Sequence, residues 1–140
     1  MKWMILILLC LILVSCSTEI SEFSEICFED NCFEVEIADE PDEMADGLMY
    51  RELLDQDKGM LFIFEEEGLY PFWMKNTLIP LDIIWLNSEK EVVYIASAIP
   101  CEEDPCASYN PEVTAKYVLE INAGISAEMD LFLGDKLNFS

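Results

Sequence analysis

Along the chain, hydrophobic positions fall into short blocks with two kinds of spacing. Phe33-Glu34-Val35-Glu36-Ile37 alternates apolar and polar residues, which predicts a strand with one wet face. Lys116 to Asn122 alternates too, with Tyr117, Leu119 and Ile121 expected inward and Glu120 and Asn122 on the opposite face. Met60 to Phe64, opened by Gly59, is instead continuously apolar, as a strand covered on both sides would be. Glu65 to Gly68 reads as a turn, Glu91 to Ala98 as a strand, and Lys136 to Phe139 as an extended end after a Gly134-Asp135 turn. Helical signals are confined to two stretches. Asp39 or Glu40 caps a helix with Pro41 in its first turn and Met44 and Leu48 on one face, running to about Tyr50. Ser126 caps a shorter helix to about Phe132. Many strands and two short helices predict an α+β fold: a compact antiparallel-rich sheet or small β-barrel, with one helix in the N-terminal half and one near the C-terminus.

One block breaks the simple patterns. Phe72 to Leu86 (FWMKNTLIPLDIIWL) is mostly apolar, yet Lys75, Asn76, Thr77 and Asp82 are set inside it, with Pro80 marking a break between one or two strands. A strand made only to fill a core has little use for those polar groups. The block therefore reads as buried or half-buried backbone that positions a few of them.

The start of the chain has a different character. Lys2 is followed by an unbroken apolar run from Met4 to Val14, too short for a bilayer span of about 20 residues and suited to the core of a signal peptide. Leu13-Val14-Ser15-Cys16 resembles the lipobox of exported lipoproteins, in which the cysteine is acylated and becomes the new N-terminus. The expected organisation is a signal peptide over 1–15, a lipidated Cys16 with a Ser/Glu-rich spacer and a cysteine pair over 16–32, and one β-rich domain over 33–140. The protein is then exported and anchored to the outer face of the cell membrane through Cys16. Acyl chains hold at about 0.8 kcal/mol per buried CH₂.

Charge supports attachment by lipid. The formal net charge is −22, with 29 acidic and seven basic residues. No basic stripe is present to neutralise phosphates, so nucleic acid is excluded as a partner, and anionic headgroups would repel the surface. The expected partners are the membrane, through the anchor, and a small ligand, glycan or envelope protein; the domain is expected to be monomeric. Histidine is absent, which removes imidazole bases and His-ligated metals, and no phosphate-binding loop or nucleophile elbow occurs. No metal and no cofactor is expected.

Beyond Cys10 and Cys16, four cysteines remain as Cys27-x₄-Cys32 and Cys101-x₄-Cys106. In an exported chain such a set reads as disulfides, for which three connectivities exist. Two local bridges are favoured because each pair lies in an acidic, turn-rich stretch (CFEDNC, CEEDPC). A Cys₄ zinc site is the alternative, and its spacing is permitted.

Several motifs in order carry a family resemblance: Ile37-Ala-Asp39, Gly47-Leu-Met-Tyr-Arg51, Gly59-Met-Leu-Phe62, Phe72-Trp-Met-Lys-Asn-Thr77, Ile79-Pro-Leu-Asp82, Leu119-Glu-Ile-Asn-Ala-Gly124 and Gly134-Asp135. Over about Phe33 to Phe139 the chain resembles the domain-of-unknown-function 192 family. The resemblance implies a compact β-rich fold, often in exported or lipid-anchored proteins, and no settled activity. Its motif residues fall on Gly47, Met49, Arg51, Met60, Trp73, Met74, Asn76, Thr77, Pro80, Asp82, Glu120 and Gly124.

Three site readings compete. Trp73, Lys75, Asn76, Thr77, Asp82 and Arg51 can line a pocket where a ligand stacks on an aromatic ring, which makes a non-catalytic binding or interaction domain. Asp82 and Glu120 are the candidate catalytic pair of a carboxylate hydrolase acting on envelope glycans. Met49, Met60 and Met74 supply thioethers for a copper-binding protein, or simply fill irregular core gaps.

Overall fold

The computed structural model describes residues 24–140. The expected signal peptide, Cys16 and the first part of the expected spacer lie outside the described residues. The sheet begins with β1 (Glu25–Phe28) and β2 (Asn31–Ala38), an antiparallel hairpin in which Cys27 stands directly opposite Cys32. Their sulfurs are 2.06 Å apart. Residues 25–32, expected in the spacer, are thus part of the domain, whose boundary moves forward from Phe33. The sequence hid this because a four-residue strand with only Ile26 fully buried has little pattern to read.

From β2 the chain crosses over through α1 (Pro41–Asp46) to β3 (Lys58–Gly68), which pairs parallel with β2. Glu40 caps the helix in a reciprocal box with Glu43. The helix stops well before Tyr50 because Gly47 takes φ +48, a conformation that L side chains rarely adopt. Strand β3 instead runs past its expected end. Glu65 to Gly68 continues it rather than turning, since Lys116 donates to the Glu65 carbonyl and the Glu67 carboxylate accepts from Ser88 (2.9 Å) and Thr114 (3.1 Å).

The remaining elements are β4 (Phe72–Trp73), β5 (Leu81–Leu86), β6 (Val92–Ala98), β7 (Ser108–Tyr109), β8 (Ala115–Asn122), α2 (Ile125–Glu128) and β9 (Asn138–Phe139). Strand β7, inside the expected 101–111 loop, pairs with β4 as a small second sheet. Cys101 and Cys106 are paired at the start of that loop. Both bridges are therefore local, and among the described residues the four cysteines form no common cluster. The main sheet has the order β6-β5-β8-β3-β2-β1-β9 and is antiparallel except at β2–β3. It curls into a half-barrel, and the C-terminal segment ties its two margins together. Strand β9 pairs with β1, while Lys136 bridges to Glu91 and Val92 N donates to the Asp135 carbonyl at 2.8 Å.

Curling gives the sheet two apolar faces. The inner face packs Ile26, Phe33, Val35, Leu61, Ile84, Leu119 and Leu137. The outer face packs Met60, Phe62, Met74, Ile83, Trp85 and Val118 beneath α1 and β4. Every residue of β5 is buried, which explains why all of its residues but Asp82 are apolar. Strand β8 alternates as expected, with Leu119 and Ile121 inward and Glu120 on the opposite face, but that second face is covered too: Val118 and Glu120 are buried there.

Candidate ligand groove

The β5–β8 register sets Asp82 opposite Ile121 and Ile83 opposite Glu120. Since side chains alternate faces along a strand, the two acids project from opposite sides of the sheet. The sheet therefore separates them rather than bringing them to one site. Asp82, on the inner face and 0% exposed, is fully engaged. Its Oδ1 accepts from Ser97 Oγ at 2.9 Å. Its Oδ2 accepts from Gly124 N (3.0 Å), Ser126 N (3.0 Å) and Ser126 Oγ (2.6 Å). Ser126, expected to cap α2, lies inside the helix; Gly124 holds the N-cap position at φ +93, and the Asp82 carboxylate binds the freed N–H groups instead. Asp82 is thus a structural anchor that ties α2 to β5 and β6.

Glu120 lies in different company. It is 5% exposed, on the outer face between Met60 and Ile83 of the neighbouring strands. Among the described residues nothing hydrogen-bonds its carboxyl group, and burial alone pushes its pKa up to about 8. It forms part of a narrow recess of about 40 Å³ with Gly47, Leu48, Met49, Trp73 and Thr77. Met44, Phe62, Phe72 and Trp73 also line an adjacent, wider apolar groove of about 270 Å³.

Aromatic rings form the groove wall. Phe62 and Phe72 meet edge to face at 4.9 Å, and Phe64 stacks on Tyr70 at 3.6 Å. Trp73, 47% exposed, stands at the rim with Lys75 Nζ 5.4 Å from its ring centre. Gly47 permits the close approach of α1 to this wall, because a Cβ there would sit 3.3 Å from Phe62 Cζ. Thr77, buried at the narrow end, donates its hydroxyl proton to the Lys75 carbonyl at 3.3 Å.

The structure divides the other candidates. Trp73, Thr77 and Glu120 converge on the groove, and Lys75 borders it. Asn76 serves the backbone. It takes φ +56 in the turn that Thr77 N closes onto the Met74 carbonyl, and its own carbonyl accepts from Tyr50 N at 2.8 Å. Arg51 lies elsewhere, gripping Glu36 with two nitrogens at 2.5 and 2.7 Å beside Glu34 and Lys58. That hydrogen-bonded pairing lowers the Glu36 pKa. Met60 and Met74 are core residues, while Met49 lies against Asn76. Sequence reasoning passed over Met44, Phe62 and Phe64 as groove residues, because core aromatics and wall aromatics look alike until packing separates them.

Comparison with known proteins places this architecture. The family model described as DUF192, Uncharacterized ACR, matches residues 25–139, nearly the whole described domain. The chain belongs to this family. No curated protein matches it. Two solved structures share its fold. A protein of Sinorhizobium meliloti 1021, provisionally labelled a transcription regulator, is 36% identical with a TM-score of 0.72, over 77% of this chain and 82% of that one. A protein of unknown function from Novosphingobium aromaticivorans DSM 12444 is 34% identical with a TM-score of 0.73, over 81% of each chain. The family match begins at Glu25, where β1 begins, so the added hairpin belongs to the DUF192 domain.

Proposed function

We propose that this DUF192 member is a lipid-anchored, extracytoplasmic binding domain without catalysis, and that its ligand occupies the groove between α1 and β4. The observation that carries this reading is Glu120. Glu120 is 5% exposed and makes no hydrogen bond among the described residues, yet its carboxyl oxygens are not sealed off, so they can be reached from the aromatic-lined recess, where a ligand would supply what the fold does not. Trp73 offers a half-exposed ring at the mouth. Export rests on the Leu13-Val14-Ser15-Cys16 motif and on cysteines that pair locally, as they do in oxidising compartments.

Hydrolysis finds less support. Asp82 is committed to α2, so Glu120 lacks the partner it was expected to have. Nor does the Sinorhizobium label favour nucleic acid here: the net charge is −22, and Arg51 and Lys58 are both paired with glutamates. Two experiments test the reading. Cys16→Ala should leave the membrane fraction and lose acyl labelling; labelling that persists refutes the anchor. A thermal-shift panel of sugars, amines, metals and envelope fragments should give a hit that Trp73→Ala weakens, since binding raises stability by RT ln(1 + [L]/Kd). A flat panel removes the ligand groove.

A further inference from the structure

We infer that the groove takes an organic cation, an ammonium group on a short apolar chain, with the charge against Glu120 and the carbons against Phe62, Phe72 and Trp73. This rests on the groove reading above and names the ligand class for that site.

The polar groups at the narrow end select the charge. Glu120 offers carboxyl oxygens that nothing else among the described residues uses. Thr77, which lines the recess, spends its hydroxyl proton on the Lys75 carbonyl, so its oxygen has only acceptor capacity left for a further partner. An ammonium group, which only donates, satisfies both once Glu120 has given up its proton; an anion would then meet only acceptors. The walls select the same class. Aromatic faces attract cations through their quadrupoles, and this mode recognises methylated ammonium groups. At the rim, Lys75 already holds its own ammonium 5.4 Å from the centre of the Trp73 ring, so that ring accepts a cation in this fold. At long range the surplus of negative charge raises the local concentration of cations and steers them inward.

Other charges near Glu120 leave its carboxyl for the ligand. Asp46, at the end of α1, borders the same recess and adds negative charge at its mouth. Glu36, on the same sheet face beyond Met60, is neutralised by Arg51. Lys75 keeps its positive charge over the Trp73 ring at the rim, so the ligand's ammonium belongs at the Glu120 end and only its carbons at Trp73. An ammonium ligand therefore has to displace only the proton on Glu120. Binding should tighten as pH rises towards 8 and then level off. A neutral ligand that accepts a hydrogen bond from protonated Glu120 would show the reverse.

The test is titration calorimetry on the purified protein with butylammonium and butyltrimethylammonium, against neutral 1-pentanol, from pH 6 to 9. The ammonium probes should tighten by about tenfold per pH unit up to pH 8, with close to one proton released per cation bound. Glu120→Gln should weaken them at least tenfold without lowering the melting temperature, while Trp73→Phe should keep most of the affinity. Pentanol binding as tightly as the cations, or affinity falling with rising pH, overturns the cation and leaves the groove standing. Failure of every probe, charged and neutral, overturns both.

Discussion

Asp82 and Glu120 are two buried carboxyl groups one register step apart on adjacent strands, yet they live in opposite chemical worlds. Asp82, inside the curl, accepts four hydrogen bonds and locks α2 in place. Glu120, outside it, has burial but no partner among the described residues, and its pKa rises to about 8. Folding meets the cost of desolvation in the first case and leaves it standing in the second. The comparison teaches that burial alone does not mark a functional acid. Partnership decides, and the sheet's alternation sets which partners are within reach.

The largest expected effect breaks the satisfied side. Asp82→Ala should cost about 4 kcal/mol in chemical denaturation, because it strands the N–H groups of Gly124 and Ser126 and two serine hydroxyls. A loss below about 1 kcal/mol would remove Asp82's anchoring role.

Next comes the unsatisfied side, read through pH. A carboxyl whose folded pKa is raised favours folding while protonated, so its contribution is complete below about 4.5 and is lost as pH climbs towards 8. The wild type minus Glu120→Gln difference cancels the other acids. It should swing by about 3 kcal/mol against the wild type between pH 4.5 and 7. Parallel stability curves would mean that Glu120 has a partner after all.

Smaller changes sharpen the contrast. Ser97→Ala removes one of the four bonds to Asp82 and should cost about 1 kcal/mol in the same denaturation assay. In the Asp82→Ala background the same change should cost almost nothing, which a double-mutant cycle would show. Trp73→Phe, at the exposed rim, should shift stability by less than about 0.5 kcal/mol in thermal melts. A larger loss would make Trp73 a core residue rather than a groove lip.

Much of this fold was legible before any coordinates. Alternation revealed β2, the continuous run from Met60 revealed the buried part of β3, and Pro41 marked the start of α1. What escaped depended on tertiary contact. The ends of α1 and β3 are set by the conformation of Gly47 and by the long-range bonds to Glu65 and Glu67, which local propensity does not encode. Glu120 and Asp82 were both recognisable as unusual acids within apolar runs. Their assignment to opposite faces required the β5–β8 register, and a shift of one residue would have reversed it. Asn76 and Arg51, expected beside a ligand, serve turn geometry and an ion pair instead.

The tie that residues 134–140 make across the half-barrel bears on whether the molecule stays single. Strand β9 and the residues around Lys136 engage both margins of the sheet, and Ser24 N donates to the Ser140 carbonyl at 2.8 Å, so the two ends of the described domain meet. Without those residues, β1 and the start of β6 would present unpaired backbone donors and acceptors, the surface on which strands of different molecules add to one another. A chain cut short before Lys136 would keep nearly all of its core and still carry two adhesive borders. Its fate would be decided by association between copies rather than by loss of packing.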